Sequence, residues 1–434
     1  MARILFFSCI LCLLLSCSGR KAEAPGFVKV SGTGFTRDGR DYTFMGTNFW
    51  YGLNLGSKGP GGNRERLLRE LDRLASMGVR NLRIMGGSEG PDTEPYRMLP
   101  SLQTAPGQYN PQVLEGLDFL LAEMAKRDMV AVMCMNNFWN WSGGMGQYLV
   151  WAGAADSIPY PPPAPGGDWS RYQEFTATFY SNEKAMKMFE DHLKFIINRT
   201  NKITGRPYRD DPVIMSWELA NEPRGVNNRE AFAKWIDRTS ALIRQLDTNH
   251  LITTGSEGNT SNAYSGTDMV KDHSYRNIDY ATIHVWVQNW GYYDPAKADS
   301  TYGPALDYAK GYIADHLKRA AELGKPVVLE EYGISRDKNE HAEGTPVTVR
   351  DKYYSAIFDA VLQETGKPNS LLRGVNFWAW AGQGRPAKPG GLWTMGHDLI
   401  GDPPHETQGW YSVYDTDSST IRVISGYASR INSR

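Results

Sequence analysis

Short apolar runs recur along the chain, spaced to leave room for one amphipathic helix between most successive pairs. Residues 42–48 predict a first strand and 79–85 a second, with leucines at helical spacing over 63–77 between them. A third strand at 129–135 follows a helical stretch at 111–127, and a fourth at 213–219 follows another at 182–201. Residues 251–254 make the fifth strand after a helix at 229–246, and 279–285 make the sixth. A helix around 308–323 leads into the seventh strand at 327–331, and one at 347–362 into the eighth at 372–378. The tail around 414–431 closes the ring. This alternation predicts an α/β fold, a parallel (β/α)8 TIM barrel with long loops at its C-terminal face, in preference to a doubly wound sheet. No short-period repeat and no dividing linker is present, so residues 27–434 read as a single domain.

A parallel barrel carries its functional groups just past the C-terminal strand ends. Trp50 falls there after strand one, Trp139 and Trp141 after strand three, Trp286 and Trp290 after strand six, and Trp378, Trp380 and Trp393 after strand eight. Flat apolar rings suit the C–H faces of pyranose sugars, and a rim of them predicts a glycan groove. The long connections at 138–180, 256–278 and 381–404 build up the same rim, whereas Trp217 and Trp235 read as core packing.

Two of the strands run directly into carboxylates. Val213-Ile214-Met215 leads to Trp217-Glu218-Leu219-Ala220-Asn221-Glu222-Pro223-Arg224, and Val327-Val328-Leu329 to Glu330-Glu331-Tyr332-Gly333. A buried acid at a strand tip is costly unless it is paired or used. Two such acids, distant in sequence but both at C-terminal strand ends, are the arrangement that cleaves a glycosidic bond. Successive strand residues face opposite ways, so one of Glu330 and Glu331 faces the groove while the other is an ion-pair partner. Glu218, earlier on its strand than Glu222, reads as a buried partner inside the barrel.

Composition removes other classes. Lysine plus arginine (47) and aspartate plus glutamate (48) nearly cancel, which gives no electrostatic footprint for nucleic acid. The eight histidines include no close pair at ligand spacing, so no metal and no cofactor is expected. Gly86-Gly87-Ser88-Glu89-Gly90 lacks the phosphate-cradling pattern and reads as a loop.

The amino terminus is an address. Arg3 precedes an apolar run from Ile4 to Leu15, too short to span a bilayer as a stable helix. It ends in Leu14-Leu15-Ser16-Cys17, which resembles a bacterial lipobox. Residues 1–16 are then a signal peptide, Cys17 carries lipid, and 17–26 form a polar tether to the outer membrane, on its periplasmic face or at the cell surface. Cys9 and Cys12 leave with the signal, and Cys134 remains as a core residue with no disulfide partner. A plain secretory signal is the alternative.

Asn221-Glu222-Pro223 after one strand and Glu331-Tyr332-Gly333 after another resemble glycoside hydrolase family 5, over nearly the whole mature chain. Trp217-Glu218-Leu219-Ala220-Asn221-Glu222-Pro223-Arg224, Asn136-Asn137 leading to Gly143-Gly144-Met145-Gly146-Gln147-Tyr148, and Gly401-Asp402-Pro403-Pro404-His405-Glu406-Thr407-Gln408-Gly409-Trp410 are similar to its endo-β-1,4-mannanase branch. The resemblance implies Glu222 as general acid/base and Glu331 as nucleophile of a retaining enzyme. It further implies that Asn221 bonds the sugar 2-hydroxyl, that Arg83 holds the nucleophile ionised, and that His284 lines the cleavage site. Trp378 becomes the floor under the scissile sugar and Arg224 a contact on the leaving-group side. Trp286 stands where many relatives carry a tyrosine bonded to the nucleophile, and Trp50 and Asn137 complete the substrate-binding set. The expected partner is a β-mannan-type polysaccharide or oligosaccharide, met by a monomer. A β-glucanase or other glycosidase of the same family, and a non-catalytic glycan-binding lipoprotein, are the alternatives.

Overall fold

The computed structural model describes residues 26–434. The leader, Cys17 and all but the last residue of the tether lie outside the described residues. Eight parallel strands form the barrel: β1 (Phe44–Asn48), β2 (Asn81–Met85), β3 (Val130–Cys134), β4 (Ile214–Glu218), β5 (Leu251–Thr253), β6 (Ala281–Val285), β7 (Val327–Tyr332) and β8 (Leu372–Phe377). They pair in the order β5-β4-β3-β2-β1-β8-β7-β6. Asp279 links the two end strands. Its amide donates to the Ile252 carbonyl at 2.8 Å, and its carboxylate accepts from the Ile252 amide at 2.7 Å. The ring predicted from the apolar runs is therefore present.

The helices follow in alternation: α1 (Arg64–Ser76), α2 (Pro111–Ala125), α3 (Glu183–Ile197), α4 (Arg229–Leu246), the short α5 (Met269–His273), α6 (Ala298–Leu323), α7 (Thr348–Thr365) and α8 (Ser418–Ile431). Side-chain caps start several of them: Asn63 accepts from the Arg66 amide, Asn110 caps a helix with Pro111 at its first position, and Asn182 accepts from the Ala185 amide. Helix α6 begins ten residues before the expected 308. Pro304 reads as a boundary in sequence, yet the helix runs through it. The 138–180 connection is also more ordered than a loop and contains helices at Gly144–Trp151 and Trp169–Ala177.

A three-stranded antiparallel sheet (Lys29–Ser31, Gly34–Arg37, Arg40–Tyr42) closes the opposite end of the barrel. Val28 and Phe35 pack there against Phe44, Val130, Val132, Met215, Leu251, Tyr280 and Val328, most of them at strand starts. Tyr42, expected on the first barrel strand, belongs to this plug. Gly374 of β8 pairs with Phe44, and a Cβ there would meet the Phe44 ring at 2.3 Å, so only glycine admits that ring. With the N-terminal end sealed by apolar side chains, the opening is left at the C-terminal strand ends.

Candidate active site

The chain leaving β4 is pinned between its neighbours. Asn221 N donates to the Asn136 carbonyl at 2.9 Å, and Glu222 N to the Gly255 carbonyl at 2.9 Å. Glu222 takes φ +48°, a left-handed conformation that a non-glycine residue keeps only when its surroundings impose it. Gly255, at φ +75°, is part of that imposition. A Cβ there would lie 2.0 Å from the Ala220 carbonyl oxygen and 2.5 Å from Glu218 Oε1.

The second acid arrives through a bulge. Ile283 pairs with Leu329 and His284 with Glu331, leaving Glu330 as the extra residue of β7. Simple alternation placed only one of the two acids inward. The bulge turns both toward Arg83, with Glu331 on the cavity wall and Glu330 fully buried below it. Glu330 makes the expected ion-pair contacts, 3.5 Å to Arg83 and 3.5 Å to His284.

Arg83 is the hub. Its Nη2 donates to Glu218 Oε1 at 2.5 Å and to Asn221 Oδ1 at 2.8 Å, and its Nη1 to Asn48 Oδ1 at 3.1 Å and to Glu331 Oε1. Burial works against its charge, but Glu218, Glu330 and Glu331 hold the guanidinium protonated. Asn137, itself fully buried, accepts from Asn221 Nδ2 at 3.1 Å. It therefore orients Asn221 from behind and does not line the cavity.

Three donors converge on Glu222. Trp139 Nε1 stands 2.6 Å from Oε2, His284 Nδ1 2.7 Å from Oε1, and Trp286 Nε1 3.3 Å from Oε1. Trp286 thus serves the β4 acid and not the β7 acid that the family tyrosine would serve. Desolvation alone would raise Glu222, but His284, Arg224 and the Trp139 donor hold it down at about 2. Burial lifts Glu331 to about 8, against His284 and Arg83 and with the Glu222 and Glu330 charges adding to it. Burial would neutralise His284, and the surrounding carboxylates instead raise it to about 10. At neutral pH the two acids therefore share one proton beside a charged imidazole. Arg83 pulls Glu331 toward the ionised form as expected, but burial works against it, so the proton belongs to the pair. His284 Nδ1, also 3.3 Å from Glu331 Oε2, touches both acids.

These groups open into a cavity of about 780 Å³. Of the residues expected from sequence, Glu222, Glu331, Asn221, Arg224, Trp286 and Trp378 line it, with Arg83 and His284 directly behind the acids. Arg224 is already committed. It forms a two-pronged pair with Glu257 at 2.7 and 2.8 Å, donates to Gln173 at 2.9 Å, and lies 4.8 Å from the centre of the Trp139 ring. Trp378 meets Trp141 and Trp286 edge to face, so the floor is a braced cluster of indoles. Trp50 does not reach the cavity. It is 2 % exposed, packs behind Trp141, and donates its N–H to the Gly401 carbonyl at 3.0 Å. Trp380 is likewise buried, bonded to Glu70. Sequence reasoning missed Glu257, Gln173, His405, Glu406 and Trp410 on the wall. The late motif containing the last three was their only signal.

Among the described residues, Glu222, His284 and Glu331 alone offer three ligand atoms close enough to hold a cation, all within 4.8 Å of one another. Glu222 and Glu331 already face donors or cations from the protein, and the surrounding carboxylates hold His284 as a cation, which makes this a poor metal site and a good acid–base one. One oxygen of each acid therefore lies within 4.8 Å of the other, a close approach that fits the narrow spacing of retaining enzymes. Retaining glycosidases hold their carboxyls ~5–5.5 Å apart, whereas inverting ones leave ~6.5–9.5 Å for a water.

A (β/α)8 barrel with this acid pair at the ends of β4 and β7, under a tryptophan-lined cavity, defines a retaining glycoside hydrolase. Residues 25–434 match the family described as GH family 5 beta-mannosidase-like, and the chain belongs to it. It is similar to a glycoside hydrolase family 5 mannosidase from Rhizomucor miehei, 40 % identical, with 94 % of this chain and 97 % of that one aligned at a TM-score of 0.86. It is also similar to the endo-β-1,4-mannanase of Thermotoga petrophila, 26 % identical over 91 % of this chain and 78 % of that one, at a TM-score of 0.65. The putative mannan endo-1,4-beta-mannosidase 9 of Oryza sativa subsp. japonica is 29 % identical over 86 % of this chain and 85 % of its own length.

Proposed function

We propose that the enzyme hydrolyses β-1,4-mannosidic bonds in mannan, glucomannan, galactomannan or their oligosaccharides by double displacement. The observation that carries the mechanism is the close approach of Glu222 and Glu331 at the cavity floor. Support for the sugar comes from the mannanase and mannosidase relatives, and from a variant of the Rhizomucor mannosidase crystallised with mannosyl-fructose. Glu331, as the carboxylate, attacks the anomeric carbon while Glu222 gives its proton to the departing glycosidic oxygen, so the glycosyl–oxygen bond breaks as the glycosyl-enzyme ester forms. Glu222 then takes a proton from water. The water oxygen attacks the same carbon, Glu331 leaves, and the configuration is retained. The reactive form of the pair is the one in which the shared proton sits on Glu222 and Glu331 is the carboxylate. Asn221 has one amide hydrogen committed to Asn137 and the other free for the 2-hydroxyl, which is axial in mannose. Bonds to that hydroxyl strengthen as the reaction proceeds, so a site fitted to it discriminates in rate. Side-by-side digests of mannan, carboxymethyl-cellulose and xylan test the substrate; faster cleavage of either of the last two would point to another sugar.

One observation favours release of units from a chain end over internal cleavage. Trp169, from the β3–α3 connection, meets His405, from the β8–α8 connection, edge to face at 6.3 Å, and both line the cavity. Two walls that touch restrict passage of a continuous polymer. A single short product, mannose or mannobiose, released early from manno-oligosaccharides without rapid loss of mannan viscosity would support it.

The lipobox-like Leu14-Leu15-Ser16-Cys17 supports a lipid anchor at an outer membrane through Cys17. Release of Cys17→Ser into the soluble fraction tests that anchor.

A further inference from the structure

Three rim connections are fastened together at one side chain. Asn339, between β7 and α7, accepts at Oδ1 from Gln288 Nε2 at 3.1 Å and from Trp410 Nε1 at 2.9 Å. Gln288 lies between β6 and α6, Trp410 between β8 and α8, and all three residues line the cavity. The turn that presents Asn339 is strained. Lys338 and Asn339 take φ +57° and +60° in succession, and neither is glycine. An exposed turn that keeps two left-handed residues has something else to hold it.

The bonding also fixes which way the amide points. An indole nitrogen can only donate, so the atom facing Trp410 is the Asn339 oxygen. Gln288 accepts the Ser335 amide on its own oxygen at 3.1 Å, so its nitrogen is the one turned to Asn339. The Asn339 Nδ2 group is thereby left with both hydrogens uncommitted, beside an indole whose N–H is tied and whose ring is held in place. Tyr411, 4.5 Å from the Trp410 ring centre, braces that indole, and in turn packs on Trp286 at 5.3 Å.

We propose that Trp410 and Asn339 form a sugar subsite, with the ring as platform and Nδ2 as hydroxyl donor, for a hexopyranose unit outside the one held over Trp378. It lies on the β6–β8 side of the cavity, across from the β4 connection that carries Arg224. Asn339 acts there both as a contact and as the residue that positions Trp410. The inference rests on the β-mannoside reading for the identity of the sugar, and on the clasp for its place.

The test compares Asn339→Ala, Asn339→Gly and Asn339→Asp on an aryl β-mannoside and on mannohexaose. The ratio of kcat/KM on mannohexaose to that on the aryl mannoside is expected to fall about tenfold in both Ala and Gly variants, the scale of a lost hydrogen bond plus a loosened aromatic contact. Asn339→Asp keeps the acceptor for Trp410 but loses the donor, and should fall between those variants and the parent. Gly relieves the left-handed strain, so a Gly variant with an unchanged ratio would show that Asn339 serves only the turn and would overturn the subsite. Equal losses on both substrates in all three variants would overturn it as well. If the parent cleaves no mannoside but another β-glycoside, the sugar assignment fails alone, and the length ratio is read on that glycoside.

Discussion

The indole N–H of Trp139 donates to Oε2 of Glu222 across 2.6 Å. Arg224 lies over the same ring at 4.8 Å and is itself clamped by Glu257. The acid/base is therefore held by an aromatic side chain that a buried ion pair keeps in place. A hydrogen bond to the carboxylate favours its charged form.

Trp139→Phe keeps the ring and removes the donor. The Glu222 carboxyl should then hold its proton more tightly, so the alkaline limb of kcat/KM moves to higher pH while kcat falls through loss of alignment. A pH–rate profile of the variant beside the parent checks this; an alkaline limb shifted to lower pH would be inconsistent with the donor role.

Arg83→Met leaves Glu218, Glu330 and Glu331 buried around an apolar side chain. Removing one side of a buried ion pair costs about 3–5 kcal/mol. A lowered denaturant midpoint and near-complete loss of turnover are expected, with Arg83→Lys intermediate because it keeps the charge but not the fork.

Stability should depend on pH through His284 with a definite sign. Its folded-state value of about 10 exceeds the ordinary 6.5, so its contribution is complete below about 6.5 and is lost as pH rises through 10. Glu331, raised to about 8, acts in the same direction between its ordinary 4.5 and 8, and Glu222, held at about 2, acts oppositely between 4.5 and 2. Urea midpoints measured from pH 6.5 to 10 should fall in the parent and fall less in His284→Gln.

Gly255→Ala would drive a methyl group into the Ala220 carbonyl oxygen and Glu218 at a positive φ. Destabilisation of more than about 1 kcal/mol is expected, with a loss of kcat larger than the change in KM, since Glu222 hangs from the Gly255 carbonyl. Thermal melts and steady-state kinetics on one preparation separate the two effects.

The barrel was legible because its strands are short, largely apolar runs, nearly all of whose residues are buried, separated by helices of different period. The plug at 29–42 was not, because its strands are three or four residues long and largely exposed outside Val28 and Phe35. The acids were legible as charges at strand tips. The bulge at Glu330 was not, because an inserted residue changes register without changing composition. Position past a strand end placed Trp378 and Trp286 correctly on the wall, but misled for Trp50 and Trp380, whose N–H groups find buried oxygens and draw the rings inward. Arg224 was found by its motif. Its partner Glu257 lies 33 residues further on, after β5, and only the closed barrel brings them together.

The assignment of Glu331 as nucleophile and Glu222 as acid/base is expected to show in two variants. Glu331→Ala should nearly abolish turnover. Glu222→Ala should be partly rescued by azide on a substrate with an activated leaving group, because such a group needs little protonation and a small anion can replace water in the second step. Full activity in Glu331→Ala with loss in Glu330→Ala would reassign the nucleophile across the bulge.

The anomeric configuration of the first product tests the central claim most directly. Proton NMR of a β-1,4-manno-oligosaccharide or aryl β-mannoside, followed from the first minutes of hydrolysis, should show the β-anomer accumulating before mutarotation, as the close approach of Glu222 and Glu331 requires. Initial appearance of the α-anomer would mean a single displacement by water, and would contradict the account.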